Sequence, residues 1–129
     1  MQFDHEKLKV YQLSLDFNKW TGDLLNNIKQ KIAVCSHLDE SAASITQNIA
    51  EGNGKFTSKD RCKYFDISRG SALECASCLD LLVRRGKTTD SEVQIGKRML
   101  IEIVSMLVGL IKSNSNRTFE PETNFNINK

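Results

Sequence analysis

Apolar residues recur at steps of three and four along four separate stretches of this chain, and almost nothing interrupts them. In 129 residues there are seven glycines and one proline, Pro121. So few strong breakers favour long helices over many short strands. In the first stretch, from about Asp4 to Ile32, Leu13, Phe17, Trp20, Leu24 and Ile28 follow one another at the helical period. Leu8, Tyr11 and Leu15 form a neighbouring stripe. A break near Val34 and Cys35 precedes the second stretch, where Ser36 is placed to cap a helix and Asp39 stands at its favourable third position. Leu38, Ala42, Ile45 and Ile49 make its core stripe. Gly52-Asn53-Gly54 ends it, with glycine expected in the left-handed conformation.

The third helix is predicted from Thr57 or Ser58 to about Arg85, with Gly86 as its stop. Its seam, Phe65, Ser68, Ala72, Cys75, Leu79 and Leu82, has small residues in the middle, which lets a neighbouring helix approach closely. Thr89-Asp90-Ser91-Glu92 opens the fourth helix with a capping-box pattern, and that helix ends near Lys112. The links are short, so the expected fold is all-α, an antiparallel up-down-up-down four-helix bundle over residues 1–112. Residues 113–129, polar and rich in asparagine, have no apolar period and are expected to form a flexible tail.

Helix four carries two apolar stripes. Val93, Gly96, Leu100, Ile103, Leu107 and Leu110 form one, and Ile101, Val104, Val108 and Ile111 form a second, displaced by about 100°. Met99 and Met106 widen the surface. Two stripes fit either a deeply buried central helix or a helix that buries its second face, Ile101, Val104, Val108 and Ile111, against another copy of the chain.

The formal charge of +2 at neutral pH averages over an uneven distribution. Residues 1–54 carry net −2 and residues 88–129 carry none, whereas residues 55–87 carry +4. The excess comes from Lys55, Lys59, Arg61, Lys63, Arg69, Arg84, Arg85 and Lys87. These eight make either an ordinary solvated face or a surface for the phosphates of RNA or DNA.

No catalytic constellation stands out, and the chain is read as non-enzymatic, with no cofactor and no metal site. Cys75-Ala76-Ser77-Cys78 lies within a helix, has no second pair, and reads as buried structural thiols. His5 and His37 have no partner at helical spacing. Gly52-Asn53-Gly54-Lys55 lacks the spacing of a phosphate loop. Glu51 and Glu74 are isolated carboxylates that can meet only across the bundle, where a polar lock is the simplest role. The start of the sequence lacks the basic and apolar regions of a signal peptide. The longest apolar stretch, Met99 to Ile111, is too short to span a bilayer. A cytoplasmic protein with reduced thiols is expected.

Ser44-Ile45, Asn48-Ile49-Ala50-Glu51-Gly52 and Phe65-Asp66-Ile67-Ser68-Arg69-Gly70-Ser71-Ala72-Leu73-Glu74 together resemble a family of bacterial four-helix-bundle proteins. That family was first named for intervening sequences in large-subunit ribosomal RNA genes. The accessory variability proteins of diversity-generating retroelements are similar. Phe3 with Leu8-Lys9-Val10-Tyr11-Gln12, and Met106-Leu107 through Leu110-Ile111, extend the likeness over about residues 3–112. The resemblance implies a homo-oligomer, a barrel-shaped pentamer, with a basic surface that engages RNA or DNA. Retroelement members assist a reverse transcriptase, and no catalysis is implied. Ahead of Ser44-Ile45 the family usually places two arginines, where this chain has Asp39-Glu40. Two functions follow as expectations: a self-associating bundle that binds RNA, DNA or a nucleic-acid enzyme such as a reverse transcriptase, or a structural, protein-binding module whose charges only solubilise it.

Overall fold

The computed structural model describes residues 1–115. A 3-10 turn, Asp4–Lys7, leads into α1 (Lys9–Asn26), α2 (Ala33–Asn53), α3 (Ser58–Arg84) and α4 (Asp90–Ser113). Each helix packs on its two neighbours, α1 on α2, α2 on α3, α3 on α4 and α4 on α1. This is the expected antiparallel four-helix bundle. The bundle domain extends to the end of α4 at Ser113, and the expected tail from residue 116 onward lies outside the described residues.

The first predicted helix divides. Glu6 accepts the Phe3 N–H at 2.9 Å and caps the 3-10 turn, and Leu8 is extended before α1 begins. At the other end α1 stops at Asn26, because the Asn26-Asn27 pair favours a turn over a further helical one. Ile28 still reaches the core from the loop. The buried line of α1 is Val10, Ser14, Phe17, Thr21 and Leu25, one position away from the predicted stripe. Leu13, Trp20 and Leu24 flank it, half-buried.

Ser14 sits inside because its polarity is satisfied. It donates to the Tyr11 carbonyl at 2.6 Å and accepts from Thr46 at 2.8 Å. Asn18 then joins the two helices, its amide lying 2.8 Å from the Ala42 carbonyl and 3.0 Å from Thr46 Oγ1. Hydrogen bonding offsets the cost of burying such groups; Thr21 is the exception, its buried Oγ1 having no partner among the described residues.

α2 begins three residues before the predicted Ser36 cap. Ile32 is its extended N-cap and has no side-chain hydrogen bond. Burial of Cys35 and Leu38 supports this first turn in place of a cap. The predicted stripe of α2 and the predicted seam of α3 are buried throughout. α2 does not end in a left-handed glycine, since Gly54 has φ −84°. Among the described residues the left-handed stop occurs once, at Gly86, φ 76°. There Lys87 N–H reaches the Leu82 carbonyl and Gly86 N–H the Val83 carbonyl, the paired bonds of a Schellman ending. Thr57 caps α3, and Thr89 with Glu92 forms the predicted capping box on α4.

Two glycines mark close approaches. A Cβ on Gly52 would lie 3.0 Å from the Phe65 ring, and one on Gly96 would lie 2.3 Å from the Trp20 ring. The first brings α2 onto α3, and the second brings α4 onto α1.

Candidate nucleic-acid interface and self-association face

The eight basic residues do not form one surface. α3 rises about 1.5 Å per residue, so Lys59 and Arg84 stand roughly 37 Å apart. Lys55, Lys59, Arg61 and Lys63 gather at the α2–α3 turn, and Arg84, Arg85 and Lys87 at the opposite end. Arg69 lies between the two clusters, bound to Asp66 at 3.0 Å.

Within the first cluster, Lys55 pairs with Glu51 at 3.3 Å and sits 4.9 Å from the Tyr64 ring centre. Arg61 points its guanidinium at the Lys55 carbonyl and Asn53 Oδ1, both at 3.4 Å. These two bonds tie the half-buried Arg61 to the turn. Lys59 and Lys63 are exposed one turn apart on the same side of α3. At the other end Arg84 and Arg85 are exposed and Lys87 is half-buried. Asp39 and Glu40, exposed near the start of α2, lie in that same half of the bundle and offset its positive charge.

The second stripe of α4 is only partly outside. Ile101 is 70% exposed, and Val104 and Val108 are half-buried. Ile111, predicted on this face, is 4% exposed and belongs to the core. It lies eighteen residues, five full turns, beyond the buried Val93, and so points the same way. Leu110 is correspondingly half-buried beside the core. Ile101, Val104 and Val108 line an open apolar groove of about 530 Å³ between α3 and α4, opposite Ala72, Leu73 and Ala76. Arg69 and the Lys97–Asp80 ion pair also line it. Leu73, 51% exposed, was not legible as part of this face because it stands alone between seam positions.

Glu51 and Glu74 do not meet. Gly52 packs on Phe65 and Ser44 on Ser71, so Glu51 lies level with the start of α3 while Glu74 is exposed roughly 13 Å further along. Cys75 and Cys78 are buried free thiols. Burial pushes the Cys75 thiol up to about 12, aided by the neighbouring Cys78 and Glu74, and Cys78 is also raised, chiefly by burial. Among the described residues no cluster of His, Cys, Asp or Glu is arranged to hold a metal ion. No described helix is long and apolar enough to cross a membrane.

These thiols give a direct prediction. In the native protein a thiol reagent modifies Cys62 first, since Cys62 is partly exposed, while Cys35, Cys75 and Cys78 are protected; peptide mapping after brief alkylation checks this. The folded state also holds the Cys75 proton more tightly than the unfolded chain. Its contribution to stability is therefore complete below pH 9.0, the ordinary thiol value, and declines as pH rises toward about 12. Cys75→Ala should flatten that alkaline decline in urea midpoints.

The residues behind the resemblance now have a structural role. Ser68 donates to the Ile45 carbonyl at 2.8 Å. Ser44 and Ser71 share a hydrogen bond of 2.8 Å, and Asn48 donates to the Ser44 carbonyl at 2.8 Å. With Gly52 against Phe65, the Ser68 and Ser44–Ser71 bonds fasten α2 to α3, while Asn48 holds Ser44 from within α2. The motif is thus the signature of a particular bundle, an antiparallel one closed along a small-residue seam. The chain belongs to the 23S rRNA-intervening sequence protein family, whose pattern matches residues 6–109. Its fold is similar to that of a crystal structure of a protein of unknown function from the S23 ribosomal protein family of Bacteroides thetaiotaomicron VPI-5482. The TM-score is 0.76 at 24% identity, covering 80% of this chain and 98% of that one. No curated protein matches the sequence.

Proposed function

We propose that this protein is a non-enzymatic, self-associating helical bundle that binds RNA or DNA through basic residues on α3 and its flanking loops. The observation that carries this reading is the apolar groove between α3 and α4, with Ile101 standing in solvent at its edge. A second copy of the chain buries that surface, and the resemblance makes the assembly a pentamer. Assembly repeats each basic end in every subunit, so that a modest local charge acts several times over on one polyanion. The family's name, drawn from ribosomal RNA intervening sequences, makes structured RNA the first ligand to test.

The test is a salt series of mobility-shift assays with structured RNA and with duplex DNA. Binding is expected at about 50 mM salt and should weaken steeply toward about 200 mM, because each neutralised phosphate releases counterions. No binding of either ligand at the lower salt would make the basic ends ordinary solvated surface and the bundle a protein-interaction module.

A further inference from the structure

The two basic ends differ in one respect that charge alone does not show. At the α2–α3 turn Phe56 is 102% exposed, a whole aromatic ring held in water between Lys55 and Lys59. Nothing within the described chain buries it. Asn53 donates to Asp4 at 3.0 Å, which brings the N-terminal 3-10 turn to the same end. There Phe3, 73% exposed, stacks on His5 with ring centres 5.6 Å apart. The end thus offers two solvent-facing aromatic rings beside four cations. Asp60, exposed beside Lys59, keeps a carboxylate unpaired among the described residues, and the other carboxylates around the rings are engaged. Glu51 pairs with Lys55, Asp4 with Lys7 and Asn53, and Glu6 with the Phe3 N–H. The Arg84, Arg85 and Lys87 end has no exposed aromatic residue among the described residues.

We infer that the α2–α3 end is a binding site for single-stranded nucleic acid, in which an unpaired base stacks on Phe56 while Lys59 and Lys63 hold the adjoining phosphates. A duplex hides its base faces inside the stack and cannot use an exposed ring. A single strand presents a π-face at every nucleotide. Charge complementarity sets the polyanion, and the bare aromatic selects its unpaired form. Phe56 makes no core contact, so its removal leaves the bundle intact. The inference rests on the nucleic-acid reading above and narrows it to one end and one ligand class.

The test is fluorescence anisotropy of labelled oligouridine of about 12 nucleotides, and of an RNA duplex of the same length, against the full chain at about 50 mM salt. Wild type should prefer the single strand. Phe56→Ala should weaken single-strand binding about tenfold with an unchanged salt slope, and should leave the duplex unaffected. Phe56→Tyr should restore binding. Lys59→Gln with Lys63→Gln should instead make the salt slope shallower by about 1.4. If wild type binds nucleic acid but Phe56→Ala binds as tightly, or the duplex binds as well as the single strand, the stacking site is refuted and the broader reading stands. If wild type binds neither ligand, both fall together.

Discussion

An alanine in place of Gly96 should lower the melting temperature by roughly 3–6 °C, the scale expected for a net loss of about 1 kcal/mol. The new Cβ would sit 2.3 Å from one carbon of the Trp20 ring and 2.4 Å from another, well inside contact distance. Overpacking of this kind costs about 1–3 kcal/mol, and the better helix propensity of alanine returns about 1 kcal/mol. Steric conflict wins because the ring is braced by Phe17, whose centroid lies 5.8 Å away. Trp20 is the sole tryptophan, so intrinsic fluorescence reports the clash directly. A red shift should accompany the loss of stability, and Trp20→Leu in the same chain should recover much of the melting temperature. Unchanged melting and unchanged emission in Gly96→Ala would show that α4 does not approach α1 as described.

The second large effect concerns assembly. Ile101→Asp or Val104→Asp should dissociate the oligomer to single chains, because each places an unpaired carboxylate where the proposed interface excludes water, at a cost of several kcal/mol. Ile101 is exposed in the single chain, so its replacement leaves the fold intact and circular dichroism should be unchanged. Ile95→Asp is the matched control. Ile95 is also an exposed isoleucine of α4 but does not line the groove, and its aspartate variant should remain assembled. Dissociation by Ile95→Asp to the same degree would mean that added charge alone, and no particular face, disperses the protein.

Much of this architecture is legible in the sequence where burial and apolarity coincide. Leu38, Ala42, Ile45 and Ile49, and the seam from Phe65 to Leu82, announce their helices because each inward position is apolar or small. The reading slips by one position on α1, where Ser14 and Thr21 are buried. Periodicity of apolar residues cannot register a serine whose hydroxyl is satisfied by a neighbouring helix. Caps are legible when a side chain makes them, as Thr89 and Glu92 do. They are lost when burial does the work, as at Ile32 and Cys35.

The candidate site divides along the same line. Charge counting locates the basic residues in sequence, but a helix as long as α3 carries them to opposite ends of the bundle. The turn then engages Arg61 and Lys55 in local contacts. Ile111 leaves the second stripe because the helical period of 3.6 returns it to the core after five turns. Phe56 does have a signal in the sequence: an aromatic residue set between lysines, outside every apolar stripe.

The most direct test of the central claim is the mass of the full chain in solution by light scattering coupled to size exclusion, across a range of protein concentrations. The chain has a mass of 14.6 kDa. A protein that covers its α3–α4 groove with further copies should elute at a multiple of that mass, five times it for the pentamer. A single species of 14.6 kDa at every concentration would contradict self-association through this face.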